Sequence, residues 1–319
     1  MMESGGLVAL FGGVLADTAL GDPRWLPHPV RGIGRLAATL ERATRAAWPG
    51  HLGVAGATTA TGVLFIVGGL CWVCLRLCNE ADPALGLLFG AILIYVSIAA
   101  RDLIRHSRAV LACLAAGDLP RARVQVGMLV GRDTAHLSES EIVRATVESV
   151  AESIVDGVLA PLFWACVLGP LAAILYRAAN TLDSMFGHRN ERYERFGRAS
   201  ARLDDAANYL PARVTTPLIC LAAGLLGLSG MGAWSVWRRD RAQHPSPNSG
   251  HAEAAVAGAL GVRLGGVNRY QGVPSSRPFL GDPLVPLQPH HITAVNRLVW
   301  TTLGLSLLCM LGFLAVIRI

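Results

Sequence analysis

The stretch "ATVESVAESIVDGVLAPLFW", residues 145–164, carries three acidic side chains directly into an apolar run. Glu148, Glu152 and Asp156 recur every four residues, and Arg144 lies four residues before them. On an α-helix a four-residue step drifts by only about 40°, so these side chains share one stripe. In a soluble helix such a stripe is typical of a solvated face with Arg–Glu pairs. Beside a membrane, carboxylates are costly and usually functional, so the surroundings decide between the two interpretations.

The surroundings are those of a membrane protein. Of the 319 residues, 52% are hydrophobic and only 16% are charged, and the mean hydropathy is +0.44. Soluble domains carry about 25% charged residues, and a bilayer crossing needs roughly 17–25 apolar residues. Six apolar windows are candidates: 5–20, 54–75, 84–100, 157–176, 214–230 and 298–317. We therefore expect an all-α, polytopic integral membrane protein whose stripe carboxylates bind a metal ion or a substrate amine.

The polar segments between these windows are candidates for the functional part of the chain. They are residues 21–53, 101–156, 177–213 and 231–297. The second half of segment 21–53 is predicted to form an amphipathic helix. Segment 101–156 is predicted to form helices near 101–116, 119–129 and 139–153. Ser138 and Glu141 fit a capping box at the start of the last of these helices.

Arginine distribution restricts the topology. If all six windows crossed the membrane, segment 177–213 would lie opposite its two neighbouring polar segments, although its seven Arg favour the cytoplasm. The conflict disappears if 157–176 and 214–230 return to the side they entered from, which is allowed where the backbone is shielded from lipid. We predict about four full transmembrane helices plus two embedded or re-entrant apolar segments. The helical loops would be cytoplasmic, and residues 1–319 would form a single domain.

The basic residues exclude several kinds of chemistry. All 28 of them are Arg, because the sequence contains no Lys. A Schiff-base lysine and a P-loop of the form GxxxxGK[ST] are therefore excluded. Phosphate would have to be bound by Arg, a helix N-terminus or a metal ion. The net charge of +6 is explained by the positive-inside bias of membrane proteins, so we expect no nucleic-acid partner.

A second polar cluster lies in residues 176–215. Asn180 and Asp183 are one helical turn apart, and Asn208 follows Asp204 by one turn. Sparse carboxylates suit Mg²⁺, which keeps several waters and bridges to phosphate oxygens. The alternative is an exposed network of ion pairs. The predicted metal ligands are Asp183, Asp204 and Asp205, and the predicted substrate- or phosphate-binding residues are Asn180, Arg202, Asn208 and Arg213.

Three turns contribute further candidates. Arg132 and Asp133 lie in a tight turn before a capped helix, an arrangement that can bind an anion. Asn248 and His251 begin an Ala-rich helix in "HPSPNSGHAEAAVAGALG", residues 244–261, and His28 lies between two prolines. We expect Arg132, Asp133 and Asn248 to bind substrate or phosphate. His28 and His251 would serve as bases or ligands. A structural role is the alternative for each.

Several of these blocks resemble a known family. "GDPxxxPHPV", "GRDT", "RATVESVAESIVDGVLAPLFW", "NTLDSMFG", "SARLDD…N…PAR" and "HPSPNSGHAEAAVAGALG" resemble the signature blocks of adenosylcobinamide-phosphate synthase, the CobD/CbiB family of cobalamin biosynthesis. The blocks occur in the family's order and extend from residue 17 to about residue 281. Ser153, where Asn is expected, and His188, where an aromatic residue is common, depart from the pattern. Neither departure removes a carboxylate.

The resemblance implies an amide-forming ligase. Its expected reaction joins a propionate carboxylate of adenosylcobyric acid to aminopropanol or its O-phosphate, with ATP as co-substrate and Mg²⁺ as cofactor. The catalytic residues expected for this reaction are Glu148, Glu152, Asp156, His28 and His251. The resemblance also implies the bacterial cytoplasmic (inner) membrane, an active site facing the cytoplasm, and partners among the lipid bilayer and other membrane enzymes of late cobalamin assembly.

Two other functions remain open. A membrane transferase acting on diphosphate substrates also uses acidic motifs, but NxxD and adjacent Asp-Asp differ from aspartate motifs paired on two helices. An ion-coupled transporter should carry its carboxylates in the middle of a span, whereas these cluster at the ends of apolar segments and in loops.

Overall fold

The structure is a computed structural model that describes residues 4–23, 29–188 and 190–317. Its helices are α1 (Ser4–Leu20), α2 (Pro29–Ala47), α3 (Leu52–Ala81), α4 (Pro83–Tyr95), α5 (Ala100–Ala115), α6 (Leu119–Gly127), α7 (Glu139–Ser153), α8 (Ala160–Leu168), α9 (Pro170–Phe186), α10 (Arg198–Leu225), α11 (Gly230–Asp240), α12 (Ser249–Leu260) and α13 (His290–Ile317). A π-helical segment, Ile154–Leu159, joins α7 to α8. The strands β1 (Leu264–Tyr270) and β2 (Val273–Leu280) pair as an antiparallel hairpin. The all-α class is confirmed, with this hairpin as the exception in the described part of the chain.

The helices predicted in the polar segments are confirmed. α5, α6 and α7 lie where the sequence predicts them, and α2 is the amphipathic helix expected after residue 21. The capping box of α7 forms as predicted. The Ser138 side chain accepts from the backbone N–H of Glu141, and the Glu141 carboxylate accepts from the backbone N–H of Ser138 at 2.8 Å. This box fixes where α7 begins.

The hairpin was not predicted from the sequence. Its turn residues Gln271 and Gly272 have φ angles of 53° and 81°, which is the backbone required by a tight type I′ hairpin turn. Gly265, the second residue of β1, has a φ of 88°, and a Cβ there would overlap the carbonyl oxygen of Pro278. A glycine-rich strand lacks the alternation of apolar and polar residues that reveals a strand in a sequence.

Four stretches are long and apolar enough to cross a membrane, which confirms the predicted number among the described residues. They are Leu52–Ala81, Pro83–Ala115, Glu139–Leu168 and His290–Val316. The set differs from the predicted one in one member, because α1 is too short and Glu139–Leu168 takes its place. The apolar window 157–176 is not one segment. Gly169, with a φ of 89°, ends the first part and precedes Pro170 of α9.

The described residues form two compact units. Unit 1 comprises Met1–Arg101 and Ala160–Asn208, and unit 2 comprises Asp102–Leu159 and Tyr209–Ile319. Each unit combines two separated stretches of chain. The interpretation of residues 1–319 as a single domain stays a prediction.

The core of unit 1 forms where α2, α3, α4 and α9 meet. Phe186 and Phe196 are fully buried there, and their rings meet edge to face with centroids 5.2 Å apart. The guanidinium of Arg45 lies 4.2 Å from the centre of the Phe196 ring. α3 approaches this centre closely, because a Cβ on Gly56 would overlap the backbone of Phe196.

Unit 2 is organised around α12, whose residues from Gly250 to Leu260 are all buried. Small side chains allow this. A Cβ on Gly258 would overlap the backbone of Gly232 in α11, so only glycine permits the close approach of these two helices. α12 also packs against α7, α13 and the hairpin. The polar side chains on α12 are therefore enclosed.

The close approach at Gly56 gives a stability prediction. Gly56→Ala should destabilise the protein by several kcal/mol, since the added methyl group must displace backbone in a packed core, and overpacking typically costs about 1–3 kcal/mol or more. Gly69→Ala is the matched control in the same helix, because nothing lies within 4 Å of a Cβ there. Thermal unfolding in detergent should separate the two variants. Equal melting temperatures would contradict the packing described for α3.

Candidate functional site

A polar cavity of about 130 Å³ lies in unit 2. Its charged lining consists of Arg132, Glu148, Glu152, Glu253 and Arg277. Asn268 and Tyr270 complete the polar part of the wall. Three of these residues, Arg132, Glu148 and Glu152, are among the residues predicted from the sequence.

Four local structures supply the cavity wall. Arg132 lies in the turn before α7, and Glu148 and Glu152 lie one turn apart on α7 itself. Glu253 comes from α12, and the remaining polar residues come from the two strands of the hairpin. The cavity therefore exists only when the hairpin rests beside α7 and α12.

Glu148 is the centre of a buried ionic network. Its Oε2 accepts from Arg132 Nη2 at 2.6 Å, and its Oε1 lies 3.4 Å from Arg144 Nη1. Only 8% of the Glu148 side chain and 5% of the Arg132 side chain are exposed. The two guanidinium groups, which would repel each other, both pair with this carboxylate, and the three groups together keep one net positive charge.

The same network holds β1. Glu148 Oε1 accepts from the backbone N–H of Gly265 at 2.8 Å. Arg144 donates to the carbonyl oxygens of Gly265 and Val267, and both Arg132 and Arg144 donate to Asn268 Oδ1. Backbone groups of a strand that lacks a second neighbouring strand thus find partners on α7.

Asp133 also binds the hairpin. Its carboxylate accepts from the backbone N–H groups of Gln271 at 3.1 Å and Gly272 at 2.7 Å, and its own N–H donates to Arg269. The contacts of Asp133 are therefore those of a residue that fixes a turn. Its predicted role in substrate or phosphate binding stays a prediction.

Glu152 and Glu253 differ from Glu148 in their partners. Glu152 Oε1 accepts from Ser249 Oγ at 2.9 Å, which links α7 to the first residue of α12. Glu253 is only 2% exposed, and its Oε1 has no hydrogen-bond partner within the described residues. Burial, followed by the nearby carboxylates of Glu152 and Glu148, raises the pKa of Glu253 well above its ordinary value.

Asp156 does not share the cavity. The π-helical segment Ile154–Leu159 interrupts the α-helical pitch after Ser153, and its i→i+5 hydrogen bonds change the spacing on which a four-residue stripe depends. Asp156 lies in this segment and is not among the residues that line the cavity. The stripe predicted from the sequence therefore does not bring Asp156 to the cavity wall. A catalytic role of Asp156 stays a prediction.

His251 and Asn248 lie at the start of α12. His251 Nδ1 accepts from Trp237 Nε1 at 3.0 Å, and burial together with Arg213 and Arg241 lowers the pKa of His251 to about 4. The imidazole is therefore neutral near pH 7 with its proton on Nε2. Asn248 Oδ1 lies 3.4 Å from Arg213 Nη1. The predicted roles of these residues at a site stay predictions.

The second predicted cluster forms in unit 1 around Asp204. Asp204 Oδ1 accepts from Asn180 Nδ2 at 3.2 Å and Oδ2 accepts from Asn208 Nδ2 at 3.0 Å. Asn208 Oδ1 in turn accepts from the Tyr176 hydroxyl at 2.8 Å. The convergence of Asn180, Asp204 and Asn208, predicted from their spacing, is present in the structure.

The carboxyl group at the centre of this cluster, Asp204, has an unusual pKa. Burial, and then the nearby carboxylate of Asp183, raise the pKa of Asp204 to about 7, while the two Asn amides lower it. α9 and α10, which carry these residues, are not among the four candidate spans. Asp183 and Asp205 are half-buried, and Arg202 is exposed. A cation near Asp183 and Asp204 would relieve their mutual repulsion.

The remaining predicted residue, His28, lies outside the described residues. Residues missed in the sequence are Glu253, Asn268, Tyr270 and Arg277. A signal existed for Glu253, because it is the single acidic residue in an Ala-rich helix that is otherwise apolar. The hairpin residues had no such signal, since they meet the cavity only through an unpredicted turn.

Comparisons with known proteins agree with the sequence resemblance. The family described as CobD/Cbib protein matches residues 10–299, which is most of the chain. The chain belongs to the CobD/CbiB family. It is 47% identical over 286 residues to the cobalamin biosynthesis protein CobD of Leptospira interrogans, covering 90% of each chain.

Further CobD/CbiB relatives are similar over comparable lengths. The cobalamin biosynthesis protein CobD of Geobacter metallireducens is 47% identical over 94% of this chain and 93% of its own. The cobalamin biosynthesis protein CbiB of Salmonella typhi is 42% identical over 91% of this chain and 92% of its own. No solved structure matches the chain. The chain is thus a CobD/CbiB protein of cobalamin biosynthesis, with the family match extending over residues 10–299.

The raised pKa of Asp204 predicts a pH dependence of stability. The folded protein binds this proton more tightly than the unfolded chain, whose pKa is near 3.8. Stability should therefore fall as the pH rises from about 4 to about 7 and stay lowered above that range. Asp204→Asn should reduce this fall, measured as melting temperature at pH 5 and pH 8. Glu191→Gln, at an exposed position of the same unit, is the control, and an unchanged pH dependence in the Asp204 variant would contradict the burial of this charge.

Proposed function

We propose that this CobD/CbiB protein forms an amide bond between a propionate carboxylate of adenosylcobyric acid and aminopropanol or its O-phosphate, with ATP as co-substrate. The relatives are cobalamin biosynthesis proteins by name, and the sequence blocks resemble adenosylcobinamide-phosphate synthase. The cavity of unit 2 supports the proposal through its chemistry. The observation that carries it is the arrangement of Glu152, Glu253 and Arg277 around one small enclosed space.

The reaction requires an activated carboxylate. The propionate oxygen attacks the γ-phosphorus of ATP, forming an acyl phosphate and releasing ADP. The unprotonated amine then attacks the carbonyl carbon, and the C–O bond to phosphate breaks as the C–N bond forms. Hydrogen phosphate leaves with one proton of the former ammonium group, and a base takes the other. Proton transfer of this kind typically contributes about 10²–10⁴-fold to a rate.

The cavity has groups for both ends of a small amino alcohol phosphate. Glu148 is neutralised by its two Arg partners, whereas Glu152 faces the cavity with a single hydrogen-bond partner among the described residues, the hydroxyl of Ser249. Arg277 donates to the Tyr270 hydroxyl at 3.3 Å and forms no ion pair within 4.0 Å among the described residues. An ammonium group would bind Glu152, and a phosphate or carboxylate would bind Arg277.

The volume fits the same substrate. An apolar cavity of about 150 Å³ holds a benzene molecule, and aminopropanol is of similar size. The much larger corrin ring cannot enter a cavity of about 130 Å³. We therefore assign the cavity to the amine substrate alone.

Magnesium would be bound by the Asp183 and Asp204 carboxylates of unit 1. Among the described residues, no group of three or more His, Cys, Asp or Glu side chains could hold a metal ion. Mg²⁺ is usually bound through only one or two carboxylates, waters and substrate phosphates, so the pair fits the donor chemistry. When bound with ATP, Mg²⁺ supplies charge neutralisation at phosphoryl oxygens. Asn180 and Asn208 would orient Asp204 by their hydrogen bonds.

We further propose that the enzyme works in the bacterial cytoplasmic membrane with its site facing the cytoplasm, where ATP is available. A transferase acting on diphosphates and an ion-coupled transporter are the competing functions. The ionic network at Glu148 favours neither, because a transporter needs a carboxylate that changes its partner and this one has several fixed partners.

The test is an assay of the detergent-solubilised protein with Mg²⁺-ATP, adenosylcobyric acid and aminopropanol or its phosphate. ADP should form only when the corrinoid and an amine are both present, together with a cobinamide product. Glu152→Gln should raise the amine concentration needed for half-maximal rate by about tenfold or more, because it removes the charge that binds the ammonium. Glu139→Gln, at an exposed position of the same helix, is the matched control.

The outcomes separate the competing functions. ATP hydrolysis that does not require the amine, or product formation from a prenyl diphosphate, would contradict amide synthesis. A Glu152→Gln variant with the amine dependence of the wild type would remove Glu152 from the amine site but leave the reaction itself supported.

A further inference from the structure

Glu253 is a buried carboxyl group whose structural surroundings do not favour its presence. It lies in the middle of α12, where all its helical neighbours from Gly250 to Leu260 are buried. Its Oε1 has no hydrogen-bond partner within the described residues. Burying a polar group without a hydrogen bond typically costs about 1–3 kcal/mol. An apolar side chain at this position would avoid that cost.

The charged or titratable groups that face Glu253 come from α7, the turn before α7, β2 and the turn before α12. The carboxylates of Glu152 and Glu148 on α7 repel its negative charge, and Arg277 on β2 and Arg132 before α7 attract it. His244, before α12, has its Nε2 at 3.6 Å from Glu253 Oε1. This distance is too long for a hydrogen bond.

His244 does not compensate the charge. Its Nδ1 accepts from the backbone N–H of Ser246 at 3.0 Å, so the neutral ring carries its proton on Nε2, facing Glu253. Burial, followed by the charge of Arg277, lowers the pKa of His244. A neutral imidazole therefore stands beside the carboxyl group. Whether Glu253 is protonated therefore depends on the charge of the group that enters the cavity.

The cavity gives this carboxyl group access to a ligand. Glu253 lines the same space as Glu152 and Arg277, although the protein encloses the rest of its side chain. A cation that enters would lie between two carboxylates, with Glu152 tied to Ser249 and Glu253 Oε1 unbonded. The carboxyl group of Glu253, which lines this space, is the group that can accept a proton from the ligand.

We infer that Glu253 is the base that takes the proton from the amine before it attacks the activated carboxyl group. This inference rests on the proposed function and assigns one more catalytic residue to it. Glu152 holds the ammonium group, and the N–H bond facing Glu253 breaks as the proton passes to the Glu253 carboxylate. The nitrogen keeps the electron pair that then forms the C–N bond.

The proton balance closes without another reactant. The ammonium group loses one proton to Glu253 and a second one with the departing phosphate, which leaves as hydrogen phosphate. Glu253 returns its proton to water when the product leaves the cavity. The raised pKa of this group makes it a stronger base than an exposed carboxylate, and an ideal base has a pKa near the operating pH.

The test compares Glu253→Gln with the wild type in the full-length protein in detergent, using Mg²⁺-ATP, adenosylcobyric acid and aminopropanol. At saturating amine the variant should lose about 10²-fold or more of its turnover, the scale of a lost general base. Its melting temperature should stay within about 2 °C of the wild type, because Gln keeps the shape and polarity of the carboxyl group. A residue with a purely structural role would lose stability and activity together.

The pH profile gives a second readout. Wild-type turnover should fall on the acidic side as Glu253 becomes protonated. The residual rate of Glu253→Gln should lack this limb and rise with pH as the fraction of free amine increases. Glu139→Gln is the matched control and should follow the wild type in rate, stability and pH profile.

Each outcome has one meaning. A wild-type protein that forms no amide refutes the proposed function, whatever the variant does. An active wild type with an equally active Glu253→Gln variant overturns only the assignment of Glu253. A variant that is less stable or fails to fold overturns it as well, since the group would then be structural. An increased KM with unchanged turnover would also overturn it, by making Glu253 a binding residue.

Discussion

The interaction on which unit 2 depends is the buried contact of one carboxylate, Glu148, with two guanidinium groups, those of Arg132 and Arg144. Such a network is not retained for stability alone, since apolar replacements of buried ion pairs are often equally stable. What it provides here is position. Glu148 and Arg144 form hydrogen bonds with the backbone of Gly265, and Asn268 Oδ1 accepts hydrogen bonds from both arginines. The hairpin is therefore held beside α7 by charge and hydrogen bonds.

The position of the hairpin divides the acidic residues into two groups. Glu148, whose carboxylate is paired with both arginines, forms the framework, whereas Glu152 and Glu253 can still bind a ligand. Small residues on α12 make this possible, because Gly258 brings the helix close to α11 and encloses Glu253. The cavity that results has carboxylates on its helical sides and Arg277 on its strand side. Amide formation from an ammonium substrate needs this division between a group that binds the cation and a group that takes its proton.

The sequence predicts the features that depend on neighbouring residues along the chain. The capping box at Ser138, the amphipathic α2 and the meeting of Asp204 with Asn208 follow from helical spacing, and the structure confirms them. The family blocks identify the CobD/CbiB family correctly. The hairpin could not be predicted, because its turn and its partners on α7 are more than 100 residues apart in sequence. Asp156 was misplaced because a π-helical segment cannot be recognised from residue periodicity. The two Arg partners of Glu148, one four residues away and one in a turn, become visible together only in the fold, and the catalytic role of Glu148 stays a prediction.

The most direct test of this account is amide hydrogen exchange across residues 264–280 in Glu148→Gln and wild-type protein. Breaking a buried ion pair typically costs about 3–5 kcal/mol, so protection of the hairpin amides should fall by about 100-fold or more in the variant. Protection in α3, which belongs to unit 1, should stay as in the wild type. If the hairpin amides of Glu148→Gln exchange as slowly as those of the wild type, the ionic network does not hold the hairpin, and the cavity has another physical origin.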